Sequence, residues 1–550
     1  MEKFKLVAKI VSSMEKVFPE KEPSNEEYSS TIFKNERLNF QIVVYNLEEF
    51  TIKRNKIVAK GEWKDYVRIR EVKLMPAECL PAKWVDDYYL KREAGLYPDL
   101  LKPFGVFGVC VPAGQWRAYW VSVDLPENVA AGSYSIGFDV IDEFDNVAAE
   151  LSYQVEVLDA VLPPHGMRVT SWMHYDCISN YHGVPVFSDE YYEIFEKYLA
   201  AYIDCGYTML LVPLFTPPLD TGVGLERKTA QLVDVVLKNG EYTFDFTKLH
   251  KFLDFVLSRG MEYLEFSHLF TQWGGAHCPK IMANVDGEEK KIFGWDDDSL
   301  GDEYKKFLTA LLPKIVEIVK ARGLENRVVF HLTDEPHKEH FERYRACYQF
   351  VKGLIGDLPT MDALSDYEYY EEGAVDIPIP VTNAVGAFLD HKVENLHVYY
   401  CCGPTQAYFS NRMFNMPSQR MRVIGIQFYA NDVVGFLHWG YNFYNTQYSY
   451  ATIDPYVDTC AGGVFPAGDS FLVYPDKENK GVLYSLRAET HKEALQDYRA
   501  LKLLESYYGK EYVQNLLKEE GIERFTTYPR STTWHTRFRQ KLNALIKEKL

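Results

Sequence analysis

The stretch "RVVFHLTDEP", residues 327–336, runs an apolar segment, Val328-Val329-Phe330, straight into two adjacent carboxylates, Asp334 and Glu335, with Pro336 directly behind them. A short apolar run stopped by proline predicts a buried strand. Side chains alternate along a strand, so neighbouring acids cannot both face one side while it stays regular. The twist at the strand's end and Pro336 release that constraint, and both carboxylates can then face the same space. The pair can equally cap the following helix, where acids favour the helix dipole.

Working outward, seven more apolar segments of similar length lie at residues 167–176, 207–215, 261–270, 360–366, 396–404, 435–442 and 470–476. Between most of them run amphipathic stretches such as "DEYYEIFEKYLAAYIDCG" and "DEYKKFLTALLPKIVEIVKARG", with apolar residues recurring at three and four and a closing glycine. Eight such units in roughly 300 residues predict a (β/α)8 TIM barrel, whose active site lies at the carboxyl ends of the strands. A doubly wound open sheet is the other arrangement this pattern allows. Residues 1–163 read differently: "RLNFQIVVYN", "AYWVSVDLP" and "GSYSIGFDVIDEFDNVAAELSYQVEVLDA" alternate apolar and polar positions between turn residues, with "DEFDN" placed as a hairpin loop. The expectation is an N-terminal β-sandwich over 1–163, punctuated by Pro163-Pro164, then a barrel over 164–505 and a C-terminal helical extension over 506–550 that packs on the barrel.

Composition narrows the function. The 550 residues carry a formal charge of -18, which opposes nucleic-acid binding because phosphate recognition needs a basic face. No apolar run approaches the roughly 20 residues that cross a bilayer, so membrane insertion is not expected. The start, "MEKFKLVAKIVSSMEK", is broken by charges and lacks a signal-peptide core, so the chain as written reads as cytoplasmic. Nine scattered cysteines, never in CxxC spacing, fit reduced thiols, and Cys401-Cys402 read as small core residues. An aromatic fraction of 15% suits sugar binding, although most such rings serve as core.

Two neighbouring acids suit glycoside hydrolysis, where a carboxylic acid protonates the leaving oxygen and a second group handles charge at the anomeric carbon. The segments at 396–404 and 435–442 end without a carboxylate, which leaves Asp366 and Asp176 as distant partners. An inverting pair would stand roughly 6.5–9.5 Å apart. Both acids on one strand instead suit substrate-assisted catalysis, in which the sugar's own 2-acetamido oxygen attacks.

The chain resembles glycoside hydrolase family 123, the β-N-acetylgalactosaminidases, together with a related group of glycoside-hydrolase-like domains. The resemblance rests on "NERLNFQIVVYN" (35–46), "FHLTDEP" (330–336) and "PAGDSFLVYPDKENKGVLYSLRAETHKEALQDYRAL" (466–501). It implies exo-acting release of terminal β-linked N-acetylgalactosamine from an oligosaccharide or glycolipid, through an oxazolinium intermediate and with no cofactor. It also implies that Asp334 orients the acetamide and that Glu335 is the acid/base. A glycosidase of other specificity and a noncatalytic carbohydrate-binding protein are the alternatives.

Further substrate-binding candidates follow from position at the strand ends. His174, Trp273, Tyr400, Trp439 and Tyr441 lie at or beyond these ends, where an aromatic face can stack on a sugar and a hydroxyl can hold an acetamide. Arg487 opens the last long helix near the same rim and can bind hydroxyls or pair with Glu489. Each can equally be packing. His337 and His340 lack the zincin spacing and a third ligand, so no metal is expected.

Overall fold

The computed structural model describes residues 5–550 apart from residues 82, 84 and 127. Strands fill the first third of the chain. One five-stranded sheet holds Leu6–Ser12, Arg37–Asn46, Trp116–Asp124, Val67–Ala77 and Gly95–Lys102 in that order, all antiparallel. A second runs Ser29–Lys34, Val147–Val161, Gly132–Asp142, Lys53–Lys60 and Val109–Val111. Their facing side chains share one core, in which Phe40 stacks on Tyr153 at 4.2 Å between ring centroids. The hairpin expected at "DEFDN" is present: Asp142 accepts the N–H groups of Phe144 and Asn146, and Asp145 takes φ 60°.

Beyond residue 167 lie eight short, buried strands that pair in parallel. A five-stranded sheet orders Met209–Val212, Tyr263–Phe266, Val328–His331, Thr360–Asp362 and Ile377–Pro378, and a three-stranded sheet orders Arg168–Ser171, Gly435–His438 and His397–Tyr399. Their edges meet twice: Val381 bridges Tyr399 in parallel, and the Thr208 N–H donates to the Val169 carbonyl at 2.9 Å. Helices such as Asp189–Asp204, Thr247–Ser258, Asp302–Ala321 and Phe341–Ile355 follow the strands and bury one apolar face each.

Two expectations about the strands are corrected. The segment at 470–476 is not a parallel strand, since Tyr474–Asp476 pairs antiparallel with Gly481–Leu483. The missing parallel member is Ile377–Pro378, too short and too proline-rich to register as a strand by pattern. The structure also carries a four-stranded sheet that the sequence reading passed over, formed by Asp234–Lys238 with Glu241–Asp245 and Ile281–Val285 with Glu288–Phe293. Its hairpins turn at Asn239-Gly240 and Asp286-Gly287, all four at positive φ, the residue pairs that tight two-residue turns require.

Buried charge ties the two strand regions together. Arg37 bonds Asp124, Asp204 at 2.9 Å and Glu489 at 3.3 Å, while Arg70 bonds Glu489 at 2.6 Å. Glu489 lies on the long helix Leu486–Tyr508, so the N-terminal sheets are fastened to the last helix of the parallel region. The tail helix Thr532–Lys547 buries Trp534, Phe538, Leu542 and Ile546, spaced at four, and Asn543 donates to the Thr31 carbonyl at 2.5 Å. It packs against the N-terminal strands as well as the long helix. Among the described residues, no helix is long and apolar enough to cross a membrane.

Candidate active site

The strand Val328–His331 ends in Leu332 and Thr333, both buried, and Thr333 is fastened by its N–H and its hydroxyl to Asp362 Oδ2 on the next strand at 2.8 and 2.9 Å. The next two residues are clamped by their backbones. The Asp334 carbonyl accepts from the Trp273 N–H at 2.7 Å, and the Glu335 N–H donates to the Ala363 carbonyl at 2.9 Å. Glu335 takes φ 47°, a left-handed conformation rare for a residue with a Cβ. That single backbone turn cancels the alternation of the strand. Both acids therefore line one cavity of about 320 Å³ at the carboxyl ends of the parallel strands.

The cavity walls are aromatic with a few polar groups, as sugar sites are. Trp172, Trp273, Tyr399, Trp439, Tyr448 and Phe465 line it, together with Asp220, Gln272, Cys401 and Cys402. The Tyr399 hydroxyl donates to Glu335 Oε1 at 2.6 Å, which fixes that carboxylate, and no described residue donates to its second oxygen. Burial, reinforced by the neighbouring Glu335 charge, pushes the Asp334 carboxyl well above the usual carboxylate range, and His331 opposes the rise.

His331 is the centre of a fully buried cluster beneath the pair. Its Nδ1 donates to Glu265 Oε1 at 2.8 Å, which also accepts from Trp172 Nε1 at 2.9 Å. Its Nε2 lies 3.6 Å from Asp362 Oδ1, close enough to act through charge but not to form a hydrogen bond. Burial alone would lower the imidazole, yet the flanking carboxylates Asp362 and Glu265 prevail and push it up to about 10. His268 stacks on this ring at 4.2 Å and is driven well below its ordinary value by burial and by the His331 charge. Glu265, His331 and Asp362 come from adjacent strands, so the parallel pairing itself assembles the cluster.

Of the residues expected from the sequence, Asp334, Glu335, Trp273 and Trp439 line the cavity. Trp439 is held by its Nε1, which donates to Asp469 Oδ2 at 3.1 Å. The other four candidates do not reach it. His174 is buried behind Trp439, with Nε2 donating to the Trp439 carbonyl at 2.9 Å and Nδ1 accepting from Arg227 at 3.1 Å. Burial and the Arg227 charge push its ring down to about 3, so it stays neutral. Tyr400 points away because strand neighbours alternate, and it packs on Phe436 and His438 while Tyr399 takes the cavity side. Tyr441 is fully buried and its hydroxyl donates to the Tyr198 carbonyl at 3.2 Å. Arg487 pairs with Asp99 rather than Glu489, with Nε on Oδ1 at 2.8 Å.

Other expectations shift as well. Asp176 is locked to Arg227 in a buried ion pair, and neither it nor Asp366 lines the cavity. Cys401 and Cys402 are half-buried cavity residues, not core. The His337 N–H donates to His340 Nδ1 at 3.1 Å, and the His340 ring sits so close to Gly274 that a Cβ there would lie 2.4 Å from it. Among the described residues, no group of three or more His, Cys, Asp or Glu side chains is placed to hold a metal ion. Tyr399, Asp220, Gln272 and Tyr448 were missed; only Tyr399 left a signal, as one of two adjacent tyrosines at a strand end.

An acid pair, an anchoring tyrosine and tryptophan walls around one cavity can protonate an oxygen and stabilise positive charge beside it. Comparison with known proteins agrees in kind. The glycoside hydrolase 123 catalytic domain matches residues 172–504. Among solved structures, the chain is similar to a family 123 glycoside hydrolase from Clostridium perfringens described for glycolipid glycan hydrolysis, at 14% identity, with 99% of this chain and 98% of that one covered and a TM-score of 0.74. That likeness is one of fold. An endo-beta-1,4-mannanase from Thermotoga petrophila aligns at 13% identity over 60% of this chain and 76% of its own, with a TM-score of 0.32. No curated protein matches the chain. The catalytic-domain match covers more than half of the sequence and includes Asp334 and Glu335, and the chain belongs to glycoside hydrolase family 123.

Proposed function

We propose that the chain is an exo-acting, retaining β-N-acetylgalactosaminidase that uses the substrate's own 2-acetamido group as nucleophile. The observation that carries this is the left-handed turn at Glu335, which aims two adjacent carboxylates into one cavity where a regular strand would separate them. In this reading Asp334 accepts the acetamide N–H and steers the carbonyl oxygen onto the anomeric carbon. Positive charge then develops on the oxazolinium, and Asp334 stabilises it as the carboxylate, a form that becomes easier to reach once Glu335 holds the proton and no longer sets a charge beside it. Glu335 gives a proton to the glycosidic oxygen through the carboxylate oxygen that Tyr399 leaves open, and later takes one from the water that opens the oxazolinium. Trp172, Trp273 and Trp439 offer faces for the sugar.

The eight parallel strands, joined through their two edge contacts, are proposed to act as one (β/α)8 barrel over 164–505, with a β-sandwich over 1–163 and a helical extension over 506–550. The proposed substrate is a terminal β-N-acetylgalactosamine on an oligosaccharide or glycolipid, in keeping with the glycolipid glycans of the Clostridium perfringens structure.

The test is hydrolysis of aryl β-N-acetylgalactosaminide, β-N-acetylglucosaminide and β-galactoside side by side. The galacto 2-acetamido sugar is cleaved fastest and the plain galactoside not at all. Glu335→Gln removes turnover of substrates with poor leaving groups while sparing activated aryl glycosides, because a good leaving group needs less protonation. Trapping a glycosyl ester on any carboxylate with a 2-fluoro sugar would overturn the mechanism.

A further inference from the structure

The cavity has a third carboxylate, and the backbone around it is built to aim it. Asp220 lies in the loop after Met209–Val212 with φ 40°, and the loop is clasped to a second one at residues 447–449, where Tyr448 and Ser449 take φ 59° and 58°. The Asp220 N–H donates to Gln272 Oε1 at 2.8 Å, and its carbonyl accepts from the Ser449 hydroxyl at 2.8 Å. Its Oδ2 accepts from the Tyr448 N–H at 3.1 Å, and the Gly222 N–H returns a bond to the Tyr448 carbonyl at 3.1 Å. Tyr448 in turn meets Trp273 edge to face at 5.9 Å.

Left-handed residues other than glycine persist only where the surroundings over-determine them, and here Asp220, Tyr448 and Trp273, the last at φ 62°, line one cavity together. The clasp uses the Asp220 backbone and one carboxylate oxygen. No described residue donates to the other oxygen, Oδ1, although the side chain lines the cavity. Burial pushes this carboxyl up to about 6, so above that pH it is an anion waiting for a donor.

We propose that Asp220 is a specificity residue whose free oxygen accepts a hydrogen bond from a ring hydroxyl of the bound sugar, at C3, C4 or C6. This rests on the reading of the site given above. If Asp334 holds the substituent at C2 and Glu335 the oxygen at C1, the far edge of the ring must meet the remaining lining, and Asp220 is the remaining carboxylate there. A site that bonds a hydroxyl rejects a sugar lacking it far more strongly than an apolar wall does, because its own polar group is left unpaired.

The experiment compares the wild type with Asp220→Asn on aryl β-N-acetylgalactosaminide and on its 3-, 4- and 6-deoxy analogues. Asparagine tolerates the left-handed backbone, and its amide oxygen can still accept from Tyr448, so the clasp and the melting temperature are preserved. The expected result is a loss of about ten- to a hundredfold in kcat/KM on the parent sugar, the scale of a lost charge-assisted bond. The loss shrinks to less than about threefold on the one deoxy sugar whose hydroxyl Asp220 holds, because partner and hydroxyl are then removed together. Equal loss on the parent and all deoxy sugars, or no loss on the parent, overturns the inference. A wild type that cleaves no 2-acetamido glycoside overturns the reading of the site and this inference with it, whereas normal wild-type turnover beside an unaffected Asp220→Asn overturns this inference alone.

Discussion

Two buried ion clusters in this chain are finished to different degrees. At Arg487 each guanidinium nitrogen has an acceptor: Nε and Nη2 on the two oxygens of Asp99 at 2.8 and 2.9 Å, and Nη1 on the carbonyls of Gly468 and Phe471 at 2.8 and 2.7 Å. The Tyr474 hydroxyl closes the cluster on Asp99 at 2.6 Å. Beneath the acid pair the cluster is left open. His331 Nε2 and Asp362 Oδ1 face each other without bonding, and neither nitrogen of the stacked His268 has a partner among the described residues. The first cluster is neutral and closed, and belongs to the scaffold. The second sets two carboxylates against one imidazolium and keeps open valences, the incompleteness that folds tolerate where chemistry is done.

The comparison breaks if the two clusters respond alike to substitution. Arg487→Met leaves Asp99 buried without its cation and should cost about 3–5 kcal/mol of stability, read from urea unfolding. Turnover per folded molecule should change by no more than a few-fold, and a loss below about 1 kcal/mol would show that the closed cluster is not structural. Asp334→Asn should do the reverse. Its kcat/KM falls by on the order of two decades or more, as for other lost electrostatic stabilisers. The melting temperature stays level or rises, because a carboxyl raised above its ordinary range is a charge the fold resists.

The smallest effect sharpens the comparison through pH. His331 has a raised folded-state value, about 10, against an ordinary imidazole near 6.5 when unfolded. Its contribution is therefore fully present below about pH 6.5, declines as pH rises between the two values, and is gone above about 10. Thermal melting from pH 6 to 10 should show this decline, and His331→Gln should flatten it. An unchanged slope in that variant would place the titration elsewhere.

Legibility in the sequence followed how local each signal was. Asp334 and Glu335 stood out because a strand, two acids and a proline lie within ten residues, Trp439 because it follows a strand end directly, and Trp273 because it opens the Gly274-Gly275 loop after another. Tyr399 and Tyr400 are neighbours, and choosing between them needs the strand's register, which pairing with Gly435–His438 sets and the sequence does not show. Asp220 was invisible for a different reason. Its placement depends on Gln272 and Tyr448, which are remote in sequence and meet it only in the folded loops. The extra sheet at 234–293 was readable, since Asn239-Gly240 and Asp286-Gly287 are strong hairpin signals between alternating residues. Ile377–Pro378 offered no comparable signal, because two residues form a strand here only through pairing with Thr360–Asp362, which the sequence does not show.

The left-handed backbone of Glu335 has a consequence for how this gene can change. At φ 47° a glycine sits without strain and an asparagine nearly so, while glutamate bears on the order of 1 kcal/mol for its Cβ. A mutant library sorted for heat resistance alone would thus be drawn toward replacing the very residue proposed to move the proton, and would return sturdier proteins with an empty grip under Tyr399. Only a screen that also demands sugar release would hold the glutamate in place.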